Sequence, residues 1–260
     1  MAAHKKGGVM KVLDLFSGIG GFSLGLERAG METVAFCEFD KHAQKVLKKH
    51  WPDVPIHEDV RTLDGKQYRG SVEVICGGFP CQDLSVAGKK AGFDGERSSL
   101  YRQMLRIISE CLPRYAIFEN VTGLLAGESG RWFGQFLYDL ASIGYDAEWH
   151  CISASELGAY HHRDRVWIIA YPNGERGQGC AKETDKIKQY IQQLNGSIQG
   201  VRELSHSNES PLLRTDDGLP GRLDRSLARQ RIKRLGNAVV PQIPEAIGLA
   251  IMEANKRGEQ

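Results

Sequence analysis

The sequence lacks the features that mark a membrane-spanning, secreted or zinc-stabilised protein. Six cysteines are spread over 260 residues, with no C-x-x-C pair and no spacing of Cys and His that suits zinc. This usage predicts reduced thiols, a cytoplasmic protein and no structural metal. No apolar run approaches transmembrane length, and the first ten residues lack the apolar core of a signal peptide. The formal net charge of +2 is too small to indicate a nucleic-acid partner by itself.

Short β-branched runs alternate with helical patterns, which is typical of an α/β fold with a doubly wound, mainly parallel sheet. Strands are predicted at Lys11–Phe16, Thr33–Cys37, Val72–Cys76, Tyr115–Glu119, Ala147–Ser153 and Val166–Tyr171. Helices are predicted at Gly21–Ala29, Lys41–His50, Ser98–Leu112 and Arg131–Ile143. The chain contains no internal repeat and no heptad array.

The alternation ends after Tyr171. Residues from Pro172 to about Pro220 are rich in Gly, Asn, Ser and Gln, with one weak helical pattern over 182–194. Regular structure is expected to resume near Ser226 and to end in an amphipathic segment, Ile243–Ala254. We therefore expect a disordered lead (1–9), a main α/β domain (10–171), a small second region (172–225) and a C-terminal segment that returns to the main domain (226–260).

A cysteine follows one of the most apolar predicted strands. The motif G-G-F-P-C-Q at 77–82 comes directly after Val72–Cys76. Open α/β sheets bind ligands at the carboxyl ends of their strands, so Cys81, held there by the rigid Pro80, is a candidate nucleophile. The alternative is a buried, unreactive thiol, which is the commoner state of a lone cysteine. The surrounding residues favour the nucleophile.

A glycine-rich turn, D-L-F-S-G-I-G-G at 14–21, opens the first predicted helix and can bring backbone N–H groups close to a ligand. Ser23 stands where a third glycine would complete the dinucleotide fingerprint, which disfavours a nicotinamide dinucleotide. Glu38, at the end of the second strand, is placed to bind a ribose diol, although a solvated acid would show the same pattern. Asp59, expected after a third strand, can reach an adenine amino group. Together these residues predict an adenosine-containing cofactor without a pyrophosphate.

Two further polar groups lie at later strand ends. Glu119 follows the apolar run Tyr115–Phe118, which predicts a raised pKa and a proton donor, with a structural carboxylate as the alternative. Arg163 and Arg165 alternate at the start of the last strand and should share one face, where they can bind a carbonyl oxygen or Glu119. The adjacent pair His161–His162 should point to opposite sides, which disfavours a metal site.

The order of these motifs resembles the DNA (cytosine-5)-methyltransferase family. The resemblance covers residues 11–171 and about 231–250, and rests on D-L-F-S-G-I-G-G-F, C-E-F-D, D-V, G-G-F-P-C-Q-D-L-S, E-N-V, R-D-R-V and R-L-G-N-A-V-V-P. A Pro-Cys pair alone would be a weak signal, but seven motifs in order are specific. The resemblance implies a Rossmann-like methyltransferase fold with a small target-recognition lobe.

The family mechanism implies a role for each catalytic candidate. The Cys81 thiolate would add to C6 of a cytosine and so activate C5 toward the methyl group of S-adenosylmethionine, without a metal. Glu119 would hydrogen-bond and protonate N3 of the base. Arg165 would hold O2, and Arg163 would orient the site and pair with Glu119.

The resemblance also implies S-adenosylmethionine as the cofactor, with S-adenosylhomocysteine as its product. Phe16, Gly18 and Gly20 would lie along its methionine and adenosine, Glu38 at the ribose, and Phe39 and Asp59 at the adenine. The remaining residues implied in the pocket are Val60, Pro80, Leu100 and, from the far end of the chain, Asn237.

Double-stranded DNA is the implied partner of a monomeric enzyme, and the target base must leave the helix to expose C6. Residues 82–99 would form a loop that closes over the DNA. The residues implied in DNA contact are Gln82, Ser85, Lys89, Lys90, Arg97, Arg229 and Lys233. The last two belong to a basic run over 222–234, for which an ordinary solvated helix face is the alternative.

Two departures from the family pattern bear on specificity. His161 stands where Gln is usual, and the target-recognition segment, Pro172 to about Leu219, is short, which favours a short or relaxed target sequence. The tRNA-directed branch of the family usually carries a Cys-Phe-Thr signature, which is absent here. A non-catalytic DNA-binding relative would have lost Cys81, Glu119 or an arginine. A nicotinamide-dependent oxidoreductase is disfavoured by the incomplete glycine fingerprint.

Overall fold

A computed structural model of the chain describes residues 8–80, 99–157, 163–173 and 238–258. They form a seven-stranded sheet in the order β3-β2-β1-β4-β5-β7-β6. The strands are β1 (Lys11–Leu15), β2 (Glu32–Cys37), β3 (Ile56–His57), β4 (Val74–Gly77), β5 (Tyr115–Val121), β6 (Tyr145–Ser153) and β7 (Asp164–Pro172). The pairs that involve β1 to β5 alone are parallel, and β7 is antiparallel to both β5 and β6.

Helices cover both faces of this sheet. They are α1 (Gly21–Arg28), α2 (Lys41–His50), α3 (Ser99–Cys111), α4 (Gly123–Ala126), α5 (Arg131–Ser142) and α6 (Gln242–Gly258), with short 3-10 turns at Gly65–Tyr68, Gly127–Gly130 and Ala154–Leu157. One core cluster joins α3 and α5 to one face, and the other joins α1 and α6 to the opposite face. The predicted doubly wound, mainly parallel sheet is therefore confirmed. Among the described helices, none combines the length and apolar character needed to cross a bilayer.

All six predicted strands and all four predicted helices occur, with shifts of up to two residues at their ends. Phe16 was included in the first strand, but its φ of 54° lies in the left-handed region and ends β1 one residue earlier. The α3 helix likewise ends before Leu112, whose φ is 57°. The two-residue β3 is absent from the predicted strand ranges because it contains no β-branched run. The amphipathic C-terminal segment forms α6, whereas the weak helical pattern over 182–194 lies outside the described residues.

The antiparallel β7 determines which residues meet at the edge of the sheet. The carboxyl ends of β1, β4 and β5 lie side by side, as expected for parallel strands. Because β7 runs in the opposite direction, its first residues pair with the last residues of β5, and Arg165 lies opposite Val121. The start of β7 therefore reaches the same edge as the glycine-rich turn and the segment that leads to Cys81.

Candidate active site

The glycine-rich turn after β1 is held by hydrogen bonds to β2. Ser17 donates from its backbone N–H to the Cys37 carbonyl oxygen at 3.2 Å, and its hydroxyl donates to the Asp14 carbonyl oxygen at 2.6 Å. Gly18 and Gly20 have φ values of 56° and 87°, which glycine adopts without strain. These bonds fix the backbone between β1 and α1 before any ligand binds.

Glu38 closes this turn from the end of β2. Its Oε2 accepts the Gly18 backbone N–H at 2.7 Å, and its Oε1 accepts the Asp40 backbone N–H at 2.7 Å. Burial raises the pKa of Glu38, although the two backbone donors oppose the rise. Each carboxylate oxygen has a second lone pair, so Glu38 can still accept a hydrogen bond from a ligand hydroxyl.

The space around the turn fits an adenosine-containing cofactor. A Cβ atom added to Gly18 would meet nothing within 4 Å, so this backbone faces open space. At Gly20 a Cβ would lie 2.6 Å from the Trp51 ring, so that glycine is required by packing instead. Phe39 is 74% exposed directly after Glu38, which leaves its aromatic face available for stacking.

Asp59 and Val60 lie in the segment that follows β3. Asp59 binds the Arg61 guanidinium at 2.8 Å, and this contact lowers the pKa of the carboxyl group. Val60 is buried, and its carbonyl oxygen accepts a hydrogen bond from Arg106 of α3 at 2.9 Å. The Asp59 carboxylate is therefore ionised and able to accept a hydrogen bond from an amino group.

A buried carboxyl group under the turn was not assigned any role from the sequence. Asp14 is fully buried, and its Oδ2 accepts the Ser23 hydroxyl at 2.7 Å. Burial raises the pKa of Asp14 to about 7. Ser23, identified above only as the residue that breaks the dinucleotide fingerprint, therefore links the start of α1 to β1. An acid and a serine nine positions apart give no sequence signal for such a contact.

The end of β5 carries a compact ionic cluster. Arg165 Nε lies 2.8 Å from Glu119 Oε1, and Arg163 Nη2 lies 3.9 Å from the same oxygen. Burial raises the pKa of Glu119, and the charges of Arg165 and then Arg163 oppose the rise. Burial and the like charge of Arg165 lower the pKa of Arg163. The cluster combines a carboxyl group that holds its proton more strongly than usual with two fixed cationic donors.

The segment Gly78–Pro80 lies directly against this cluster. A Cβ added to Gly78 would lie 3.0 Å from Glu119 Oε2, so the missing side chain allows the carboxyl group to approach the backbone. Pro80 is half-buried, and Leu100, in the first turn of α3, packs at the border of the core. The last described residues before Cys81 therefore lie beside Glu119.

Several predicted site residues lie outside the described part of the chain. They are Cys81, Gln82, Ser85, Lys89, Lys90, Arg97, His161, Arg229, Lys233 and Asn237. Near the last of these, the chain approaches α1, since a Cβ added to Gly21 would lie 2.5 Å from the Val239 carbonyl oxygen. Within the described ranges, no group of three or more His, Cys, Asp or Glu side chains could hold a metal ion.

Comparison with known families gives one match over most of the chain. Residues 10–216 match the model of a family described as C-5 cytosine-specific DNA methylase. This range includes the glycine-rich turn, Glu38, the Gly78–Pro80 segment, Glu119 and both arginines.

Curated relatives match a little under two thirds of the chain. The type II methyltransferase M.Eco47II of Escherichia coli is 40% identical over 167 residues, which cover 64% of this chain and 40% of the relative. The type II methyltransferase M2.BsuMI of Bacillus subtilis is 37% identical over 165 residues, which cover 62% of this chain and 42% of the relative. The matched part of the chain thus corresponds to about two fifths of each relative's length.

Solved structures show the same fold. A prophage-encoded protein of E. coli, assigned as a DNA modification methyltransferase, matches 63% of this chain and 47% of its own with a TM-score of 0.53 and 30% identity. The Dnmt2 methyltransferase of S. pombe matches 64% of this chain and 52% of its own with a TM-score of 0.52 and 22% identity. At that lower identity the likeness supports the fold alone.

Proposed function

This chain belongs to the C-5 cytosine-specific DNA methylase family, and from that premise we propose that it transfers a methyl group from S-adenosylmethionine to C5 of a cytosine in duplex DNA. The observation that carries the proposal is the Glu119 cluster, which lies against Gly78 in the segment that leads to Cys81. The type II methyltransferases among its relatives support a role in restriction-modification.

Cys81 is the proposed nucleophile. Its thiolate forms a bond to C6 of the cytosine, and the electron pair of the C5–C6 double bond shifts to form a C4–C5 double bond. The π electrons of the C4–N3 bond move to N3, which takes the proton of Glu119. Burial raises the pKa of Glu119 and so favours the protonated carboxyl group that this step uses. Arg165 donates to O2 of the base and so binds the charge that develops there.

The nucleophilic C5 then takes the methyl group. A proton leaves C5 to water, the C5–C6 double bond re-forms, and the bond between C6 and the Cys81 sulfur breaks to regenerate the thiolate. N3 then returns its proton to Glu119, which restores neutral base and protonated carboxyl group. Arg163, 3.9 Å from Glu119, helps to hold the carboxyl group in place through these steps. No metal is required at any step.

S-adenosylmethionine, when bound, supplies an electrophilic methyl group. The glycine-rich turn with Phe16, Gly18 and Gly20 would hold its methionine and adenosine, and Glu38 its ribose. Phe39, exposed beside the turn, would stack on the adenine, and Asp59 would accept its amino group. Val60, Pro80, Leu100 and Asn237 complete the proposed pocket.

The proposed DNA contacts lie outside the described residues. We propose that residues 82–99 form the closing loop, with Gln82, Ser85, Lys89, Lys90 and Arg97, and that Arg229 and Lys233 make further phosphate contacts. Of residues 82–99, the structure describes only Ser99, where α3 begins. Target recognition is assigned to residues 172–225. We further propose that the protein acts as a monomer in the cytoplasm, where its thiols stay reduced.

The test is transfer of labelled methyl groups from S-adenosylmethionine to duplex DNA, with tRNA as the alternative substrate. Wild type should label DNA, and Cys81→Ser should not, while its affinity for S-adenosylhomocysteine stays within a few-fold because the pocket is intact. Duplex DNA with 5-fluorocytosine at the target should give a covalent adduct, since C5 then has no proton to lose. Labelling of tRNA alone, or full activity of Cys81→Ser, would contradict the proposal. Bisulfite sequencing of the DNA product would identify the target site.

A further inference from the structure

The side chain of Asn120 joins two segments of the candidate active site. It is 2% exposed, and its Nδ2 donates to the Phe79 carbonyl oxygen at 3.1 Å. Its Oδ1 accepts the Val121 backbone N–H at 2.9 Å. Both polar atoms are thereby satisfied, and the donor on one side and the acceptor on the other allow only one orientation of the amide.

Glu119 and Asn120 hold the Gly78–Pro80 segment from opposite faces of β5. Successive residues of a strand point to opposite faces, so Glu119 meets the two arginines on the α1 side, whereas Asn120 lies on the α3 side. Glu119 contacts the segment at Gly78, where a Cβ would come within 3.0 Å of its Oε2. Asn120 contacts it one residue later, at Phe79.

Phe79 is also fixed by its ring. The ring lies 5.7 Å from that of Phe136, 5.9 Å from that of Tyr101 and 6.5 Å from that of Phe118, between α5, α3 and β5. The next residue, Pro80, has no N–H and cannot extend the hydrogen bonds of the sheet. The Asn120 amide therefore anchors the Phe79 carbonyl oxygen next to a residue that can donate no backbone hydrogen bond.

We propose that Asn120 is a positioning residue, which fixes the backbone of Phe79 and Pro80, the residues that lead to Cys81, relative to the carboxyl group of Glu119. The inference rests on the function proposed above, because that function gives Cys81 and Glu119 a part in the same reaction. Misplacement of reacting groups by about 1 Å can cost on the order of 100-fold in rate. Loss of this anchor should therefore slow formation of the bond to C6 and leave in place the glycine-rich turn and Glu38, which follow β1 and β2.

The test compares Asn120→Asp with Asn120→Ala by the rate of covalent adduct formation on 5-fluorocytosine DNA. The Asp variant keeps an acceptor for the Val121 N–H, and its other oxygen can donate to the Phe79 carbonyl only when protonated. At pH 8 both variants should be slower than wild type by about 100-fold. As the pH falls toward 5.5, the Asp variant should recover relative to wild type at the same pH, and the Ala variant should not.

A rate that recovers at low pH in the Asp variant alone cannot come from a general loss of folding. Dividing the rate of each variant by the wild-type rate at the same pH removes the effect of the titration of Cys81 and Glu119 themselves. Affinity for S-adenosylhomocysteine serves as the check on folding and should stay within a few-fold. Asn255→Asp is the matched control, because the Asn255 amide contacts Arg114 and Met10, just before the first residues of β5 and β1 and so at the opposite edge of the sheet, and it should behave as wild type. Equal, pH-independent losses in both Asn120 variants, or a wild-type rate in both, would overturn the positioning role. Failure of wild type itself to form the adduct would instead refute the proposed function.

Discussion

Arg165 Nε lies 2.8 Å from Glu119 Oε1, whereas Arg163, which the family resemblance pairs with Glu119, lies 3.9 Å from the same oxygen. The shorter contact is a charge-assisted hydrogen bond, and the longer one is mainly an electrostatic attraction. The guanidinium has five N–H donors, so Arg165 can bind Glu119 through Nε and still direct a terminal nitrogen at a base oxygen. The two arginines should therefore affect Glu119 to different degrees.

Arg165→Gln should raise the pKa of Glu119 further, because the charge of Arg165 is the largest influence that opposes the effect of burial. The single-turnover methylation rate should fall on the order of 100-fold or more through loss of a donor to O2. In the pH profile of that rate, the alkaline limb, where Glu119 loses its proton, should move to higher pH. Arg163→Gln should shift that limb less. Equal shifts in the two variants would mean that Arg165 does not influence the pKa of Glu119 more strongly than Arg163 does.

The open space at Gly18 gives a test of the cofactor site that separates binding from stability. Gly18→Ala should weaken binding of S-adenosylhomocysteine at least tenfold, because the new methyl group enters the space proposed for the ligand. It should also cost about 1 kcal/mol of stability, since φ is positive there. Calorimetric titration and thermal unfolding measure the two effects.

Gly30→Ala is the matched control for that change. Gly30 also has a positive φ, of 95°, and a Cβ there would meet nothing within 4 Å. It lies after α1, away from the ligand-facing turn, so its replacement should reproduce the loss of stability and leave affinity unchanged. Equal affinity losses at Gly18 and Gly30 would place the cofactor elsewhere.

Asp14 should make stability depend on pH. Burial raises the pKa of its carboxyl group to about 7 in the folded protein, against an ordinary value of 3.8. Between these values the folded state keeps a proton that the unfolded state releases, so stability falls as pH rises through this window. The full slope for one such group is about 1.4 kcal/mol per pH unit.

Asp14→Asn isolates this contribution, because the amide oxygen can still accept the Ser23 hydroxyl and has no charge to lose. The free energy of unfolding of wild type minus that of the variant should decline between about pH 4 and pH 7 and then level off. Chemical denaturation at a series of pH values measures this difference. A difference that stays constant across the window would mean that Asp14 is ionised throughout.

The architecture was largely predictable from the sequence because each strand carries its own signal. The β-branched runs locate the long strands. Because the carboxyl ends of parallel strands lie at one edge of the sheet, the sequence also predicts that the glycine-rich turn, Glu38 and Glu119 lie at that edge. Contacts between distant residues carry no such signal. Neither the partner of Ser23 nor the hydrogen bond from Asn120 to Phe79 follows from local patterns, since both depend on register between strands.

The direction of β7 is another feature that the hydrophobic pattern of the sequence does not predict. An alternating run predicts a strand but not whether it lies parallel or antiparallel to its neighbours. Only the antiparallel pairing of β7 with β5 places Arg165 opposite Val121 and within reach of Glu119. The two arginines could therefore be assigned to one face from the sequence, but the closer partner of Glu119 could not.

The C-terminal segment packs closely against α1. A Cβ added to Gly25 would lie 2.2 Å from the Pro241 carbonyl oxygen and 2.7 Å from Pro244 Cγ. Gly25→Ala should therefore destabilise the protein, although the same change in an open helix stabilises by roughly 0.5–1 kcal/mol. Gly134→Ala is the matched control, because Gly134 lies within α5 and a Cβ there would meet nothing within 4 Å.

The two variants also test whether Asn237 belongs to the cofactor pocket. Displacement of Pro241 from α1 must shift the residues just before it, so folded Gly25→Ala should bind S-adenosylhomocysteine several-fold more weakly than wild type. Gly134→Ala should bind it as wild type does and unfold at a higher temperature. If Gly25→Ala loses stability but keeps full affinity, the C-terminal segment stabilises the fold without contributing to the pocket, and the assignment of Asn237 is wrong.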